Sequence, residues 1–290
     1  MATLSEQQRA AFWREGCLLL EQAVSGDALA ALRRDLDAWI AESRGHAAPW
    51  GETGHGFPRF DLEAGHSAEQ PRLRRVNNPA EISDAYERAT FATAMTRAVV
   101  ELIGPDVKFH HGKINVKLPS TRSRVGLHQD FSYTPHTNDD IVTALLMLDD
   151  VTMENGPLQV APGSHTEGQV SLWQDGVFTG QVADTTATAL AGRLRPVTGR
   201  AGDVCLMHTS LLHGSEPNRS PARRALLISV YTAADAFMLC PSPLPNRFEG
   251  RIVAGAEARC ARLTKREVEL PALAHKGSFF NLAGQGTNAA

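Results

Sequence analysis

His128 and Asp130 stand one residue apart in the stretch VGLHQDFSYTPH, residues 125–136. On an extended strand, side chains two apart project from the same face. A neutral imidazole and a carboxylate would then lie side by side while Gln129 faces away. That pair is two-thirds of the two-histidine, one-carboxylate set that holds ferrous iron and leaves adjacent coordination positions open. In a chain with 11 histidines and 32 acidic residues an isolated His-x-Asp also arises by chance. The metal reading therefore needs a second histidine near another strand end. GDVCLMHTSLLHGS, residues 202–215, offers two. His208 closes an apolar run and reads equally well as a half-buried core residue. His213 opens a polar turn, followed by Gly214 and Ser215, where a side chain can turn into a cavity, and spacing slightly favours it.

A second polar group lies upstream. HHGKINVKLP, residues 110–119, puts His111, Lys113, Asn115 and Lys117 on one face of a strand. Such residues are costly to bury without a partner, so the face either serves a site or meets solvent.

The elements that must position these residues follow from patterning. Ser5 caps a short helix through about Glu15, which Gly16 stops. CLLLEQAV is a short apolar strand, and Ser25 opens a helix whose Leu29, Leu32, Leu36, Trp39 and Ile40 recur at helical spacing. Residues 44–79 are rich in Gly, Pro, His and Arg and read as loop. A helical pattern returns from about 80 and ends at Gly104-Pro105. Strands follow at about 107–117, 124–130, 141–148, 157–161, 177–183, 193–197, 203–208 and 224–232. Turns at Pro119-Ser120, Glu154-Asn155-Gly156, Pro162-Gly163-Ser164 and Ala201-Gly202-Asp203 separate some of them. Eight short strands after a helical first third imply a mainly β protein with flanking helices, a closed double-sheet architecture. We expect one domain over 1–290: helical support to about 105, a β core over about 106–235 and a C-terminal extension over about 236–290.

Composition excludes several classes. With 29 basic and 32 acidic residues the formal net charge is −3, which does not suit a polyanion, so no nucleic-acid partner is expected. No apolar window reaches the roughly 18–20 residues of a membrane helix. The charged N-terminus lacks a signal-peptide core, and the four cysteines show no CxxC spacing. A cytoplasmic protein with reduced thiols is expected, acting on a small molecule as a monomer or homodimer.

Taken together, GKINVKLP, LHQDFSYTP, DDVTMENGPLQVAPGSHTEG, GDVCLMHTSLLHGSEPNRS and RRALLISVY resemble, in order and separation, the phytanoyl-CoA dioxygenase (PhyH-like) family of Fe(II)- and 2-oxoglutarate-dependent oxygenases. The likeness covers roughly residues 5–240. It implies a double-stranded β-helix (jelly roll) with iron held by His128, Asp130 and His213. O2 and 2-oxoglutarate would be cosubstrates, and ascorbate a stimulant. Retention of Asp130 implies hydroxylation, because related halogenases replace this acid with a small residue. The family also fixes the far carboxylate of 2-oxoglutarate with an arginine on the strand after the distal histidine. Alignment on RRAL selects Arg223, while a count from His213 selects Arg224; neighbours on a strand face opposite ways, so only one can serve, and Arg223 is the expected one. The resemblance adds Ser215, Asn115 and Lys117 as cosubstrate contacts and, more weakly, Arg75. His165 is expected to organise its loop, His136 to sit on a surface loop, either meeting substrate or simply solvated, and Tyr133 to line the pocket mouth or to pack. Arg59 and Arg72 are expected to be surface charges. The rival readings are a zinc hydrolase on the same ligands and a β-sandwich that only binds. The implied substrate is small and anionic or zwitterionic.

Overall fold

Ser5 and Gln8 close a capping box on the first helix, each side chain bonding the other's backbone N–H. The chain then turns at Gly16 in the left-handed conformation (φ 81°) into a short strand. The computed structural model describes residues 3–24, 26–53, 56–119, 123–264 and 267–272. Ser25, Ser120 of the Pro119-Ser120 turn, and residues 273–290 of the extension lie outside them.

The helices are α1 (Glu6–Glu15), α2 (Gly26–Ser43), α3 (Asp84–Phe91), α4 (Ala94–Ile103) and α5 (Asp184–Leu190). The strands before the first polar stretch are β1 (Cys17–Leu20), β2 (Trp50–Glu52), β3 (Pro58–Leu62) and β4 (Leu73–Asn77). Then come β5 (Val107–Lys117), β6 (Val125–His128), β7 (Ile141–Met147), β8 (Leu158–Val160), β9 (Trp173–Gln174) and β10 (Val177–Phe178). The last are β11 (Arg195–Val197), β12 (Val204–His208), β13 (His213–Ser215), β14 (Arg224–Ala233) and β15 (Ile252–Ala254). A main sheet runs β1-β12-β7-β14-β5-β4-β3-β2, with β15 also paired to β5. A second sheet, β11-β8-β13-β6, completes the jelly roll, and β9 and β10 form a separate hairpin.

The central strands of the main sheet are buried on both faces, which is why they read as unbroken apolar runs rather than alternating ones. On β7 and β14, Val142, Ala144, Leu146, Ala225, Leu227 and Tyr231 join one large core shared with the helices. The intervening Leu145, Met147, Leu226 and Ile228 join a second core with Leu158 and Val160 of the smaller sheet. Parity along these strands therefore decides whether a side chain meets helices or the jelly-roll interior.

Three expectations are corrected. Residues 44–79 are not chiefly loop: they hold β2, β3 and β4, which extend the main sheet. Their strands are short and polar, with Asp61 opposite Arg75, so the apolar alternation that signals a strand is missing. The strand expected over 177–183 shrinks to Val177–Phe178, and a helix, α5, follows it. The strand expected over 124–130 stops at His128, and Asp130 begins a 3-10 turn.

Candidate metal centre

His128 ends β6 and His213 begins β13, and the two are direct partners in the antiparallel ladder between these strands. Their rings lie 4.2 Å apart. Each donates its Nδ1–H to a carbonyl two residues back, His128 to Gly126 O at 2.9 Å and His213 to Leu211 O at 2.9 Å. Those bonds fix the tautomer and leave both Nε2 lone pairs facing the same way. The 3-10 turn brings Asp130 under them: its Oδ1 is 3.5 Å from His128 Nε2 and 3.6 Å from His213 Nε2. One ligand atom from each of the three residues lies within 4.8 Å of the others. The other carboxylate oxygen accepts a hydrogen bond from Thr143 Oγ1 at 2.9 Å. Two unprotonated imidazole nitrogens and an oriented carboxylate fit a first-row divalent metal.

Electrostatics keep Asp130 and His213 in forms that could bind a metal. Burial alone would raise the Asp130 pKa, but His213 and His128 outweigh it and hold the carboxyl well below its usual range. Burial, then the neighbouring His128, pushes His213 down to about 4, so it stays neutral. Gln129, facing away as expected, is fully buried. It donates to Ser210 O at 2.6 Å and Gly168 O at 2.9 Å and accepts from Val170 N, pinning both ligand-bearing segments to one frame.

The triad opens into a cavity of about 110 Å³. Arg224 lines it, buried, with Nε 3.1 Å from Gly156 O. Burial lowers the Arg224 pKa to about 10, leaving it charged at neutral pH. Arg223 does not reach the cavity, which corrects the residue expected from alignment. Its guanidinium points to the helical side, pairing with Asp149 at 2.9 Å and with Asp37 of α2. Adjacent residues alternate faces, and Arg224 shares the inward parity of Leu226 and Ile228.

Ser215 and Asn115 also line the cavity, and the Asn115 Oδ1 is buried with no hydrogen-bond partner. Lys117 sits just behind, opposite Arg224 in the ladder, and donates to Ser215 Oγ at 2.8 Å and to the Glu216 carbonyl. Burial, with Arg224 beside it, takes its pKa down to about 6. Tyr133 packs edge-on to the His128 ring and donates to the Gly180 carbonyl. His208 is outside the cluster: it accepts from Ser210 N and packs against Trp13. His165 ties its loop to α1 through the Trp13 carbonyl at 3.1 Å. His136 is not a surface loop residue but is almost wholly buried, donating to Thr134 O at 2.7 Å with its ring 5.1 Å from His110. Nor is Arg59 a surface charge, since it pairs with Glu81 at 2.7 Å in the interior.

A profile of the phytanoyl-CoA dioxygenase family matches residues 12–226. The chain belongs to that family. A probable alpha-ketoglutarate-dependent hypophosphite dioxygenase from Stutzerimonas stutzeri is 32% identical over 220 residues, 73% of this chain and 75% of that protein. The L-proline trans-4-hydroxylase of Streptomyces griseoviridis is 29% identical over 240 residues, 76% and 83% of the two chains. The crystal structure of EctD from S. alaskensis with 2-oxoglutarate and 5-hydroxyectoine superposes with a TM-score of 0.68 at 23% identity, over 91% of this chain and 88% of that one. As a family member the protein is a 2-oxoglutarate-dependent non-haem iron dioxygenase on a jelly-roll frame.

Patterning alone passed over Thr143, although a lone hydroxyl in the apolar run IVTALLM was a usable signal. It also passed over Pro243 and Leu244, which reach the cavity from the C-terminal segment. No local motif marks those two, because only tertiary packing brings them there. No helix among the described residues is long and apolar enough to cross a membrane.

Proposed function

We propose that this dioxygenase hydroxylates an unactivated C–H bond of a small anionic or zwitterionic organic substrate, using His128, Asp130 and His213 as iron ligands and Arg224 as the anchor of 2-oxoglutarate. One oxygen atom of O2 enters the substrate as hydroxyl and the other enters succinate, as 2-oxoglutarate loses CO2. Bound ferrous iron supplies the redox chemistry of O2 reduction. The chain supplies geometry. His128 and His213 present lone pairs already oriented by their backbone bonds, and Asp130 is held by Thr143, so little reorganisation accompanies metal entry. The Arg224 fork suits a carboxylate bidentately, with Ser215 as a hydroxyl contact whose position Lys117 sets. Leu226 and Ile228, next inward on the same face of β14, shelter the reacting centre from water.

The observation that carries this reading is the convergence of both Nε2 atoms on one carboxylate oxygen in a cavity that also holds a buried arginine. The relatives named for hypophosphite and L-proline support a compact, polar substrate. The reaction needs no second protein, so a monomer or homodimer in the cytoplasm suffices. Purified protein with Fe(II), ascorbate, 2-oxoglutarate and air should release succinate. His213→Ala should abolish release while His208→Ala retains it. Loss with His208→Ala alone would reject the ligand assignment.

A further inference from the structure

A bulge in β5 turns two histidines toward each other. Val230 of β14 pairs with His111 and Tyr231 with Phe109, so His110 is the extra residue between them. An extra residue breaks the alternation of faces and re-aims side chains. The two rings meet through their Nδ1 atoms at 2.5 Å, although neighbours on a regular strand point apart. Asn246 holds the bulge from the C-terminal segment, donating to the His110 carbonyl at 2.9 Å. Both rings are buried, and burial pushes both below the ordinary histidine range, His111 to about 3. Each is therefore neutral and carries one N–H.

The partners assign that N–H on each ring. His110 Nε2 lies 3.1 Å from Met238 Sδ, a thioether that can accept but has no hydrogen to donate. His110 is then the donor there, with its proton on Nε2 and a lone pair on Nδ1. His111 must supply the proton between the rings, which leaves its own lone pair on Nε2. No described residue bonds that Nε2, and the ring lines the cavity of the triad.

Position says what the lone pair meets. His111, Val230 and Thr143 are successive ladder partners across β5, β14 and β7, and all three line the cavity. Thr143 is the residue that holds Asp130. Adjacent strands are about 4.8 Å apart, so His111 stands on the order of 10 Å from Thr143, on the same row of the sheet. Arg224 pairs with Lys117, further along β5. The cosubstrate anchor and His111 therefore lie toward opposite ends of the same wall. A buried neutral acceptor suits a neutral donor, because a cation there would need a buried counter-charge.

We propose that His111 Nε2 is a specificity-determining hydrogen-bond acceptor for an uncharged O–H or N–H of the substrate, in the tautomer that His110 and Met238 impose. The assignment rests on the functional reading, with 2-oxoglutarate at Arg224 and substrate toward the other end.

The test is nitrogen NMR of full-length protein with isotope-labelled histidine, first metal-free and then with Zn(II) and 2-oxoglutarate. The His111 signals are those lost in His111→Gln. At neutral pH the metal-free protein should show His111 protonated at Nδ1 and unprotonated at Nε2. The reverse tautomer, or an imidazolium, overturns the proposal. Met238→Leu keeps the volume and removes the sulfur, so the two His111 nitrogens should move toward averaged positions. An unchanged tautomer in that variant rejects Met238 as its cause. The binding probes are ethylene glycol and acetamide, which donate O–H and N–H, against dimethoxyethane and N,N-dimethylacetamide, which donate neither. With Zn(II) and 2-oxoglutarate bound, at least one donor should shift the Nε2 signal saturably while both controls leave it in place. The donor that acts identifies the group as hydroxyl or amide. By saturation-transfer titration, His111→Phe should weaken that donor about fivefold, the scale of one net hydrogen bond, with 2-oxoglutarate affinity changed less than about threefold. His111→Gln keeps an acceptor and should retain most of the binding, and thermal melts check that the variants fold. Equal shifts with donors and controls, or no shift with either donor, would each overturn the proposal. If Zn(II)-loaded protein binds no 2-oxoglutarate, the functional reading fails separately, and the metal-free spectra still decide the tautomer of His111.

Discussion

Removing the Thr143 hydroxyl isolates what a single hydrogen bond does for the proposed metal site. It holds Asp130 Oδ2 at 2.9 Å, so Thr143→Val leaves a carboxylate that must be ordered by the metal alone. Partners of ligating groups typically contribute 10–100-fold in affinity. We expect a loss of about that size in Fe(II) affinity by chelator competition, with unchanged circular dichroism and recovery in Thr143→Ser. The two adjacent arginines separate along a different axis. Arg224→Leu should raise the KM for 2-oxoglutarate by about a hundredfold or more, as loss of a buried bidentate charge contact does. Arg223→Ala should leave that KM unchanged. It breaks the pairs to Asp149 and Asp37, a loss of about 1 kcal/mol for a partly exposed network, or a fall of about 2–4 °C in Tm.

At the scale of elements, the candidate metal site is the seam between β6 and β13. The strands approach so closely at Gly214 that an added Cβ would lie 2.8 Å from Val125 O and 3.2 Å from Leu127. A backbone oxygen cannot swing aside as a side-chain tip can. Gly214→Ala should therefore cost about 1–3 kcal/mol and lower metal affinity in step, read by thermal melts with and without Fe(II). Gly192→Ala, where a Cβ meets open space, serves as the neutral control. A parallel fall in both variants would reject strand crowding as the cause. The sheet's outer strands carry the other lesson of this scale. β4 delivers Arg75 to the cavity from a region whose composition reads as loop, because strand pairing rather than apolar alternation holds it.

For the whole molecule, the buried histidines set a response to acid. Burial pushes His136 down to about 4 and His111 down to about 3, from an ordinary 6.5. The unfolded chain therefore binds protons first as the pH falls. Stability should be full above about 6.5 and decline between there and about 3–4, by a few kcal/mol in total. Urea midpoints of metal-free protein should be clearly lower at pH 5 than at pH 7.5, and His136→Phe, if it folds, should flatten the difference. Iron stabilises the folded state by mass action, so chelation should lower Tm, more at neutral pH where the ligands are deprotonated.

The linear order of motifs, read with the family resemblance, was enough to name the reaction type, because the His128-x-Asp130 pair, the His213 turn and the Asn155-Gly156 turn are local signals whose order survives loop changes. The cap at Ser5, the stop at Gly16 and most of the long strands are likewise local, resting on backbone preference and apolar runs. What sequence left open depended on register and facing. Arg223 and Arg224 are chemically identical neighbours, and only the burial of β14 on both faces decides which looks inward. Asp130 meets the histidines not by strand alternation but by a 3-10 turn under them. Lys113 and Arg75 share one patch because β4 and β5 pair at a particular register, which no pattern within either strand encodes. Tertiary structure decided these points because a side chain's partners across a sheet are set by the neighbouring strand, whose place in the fold is a property of the whole chain.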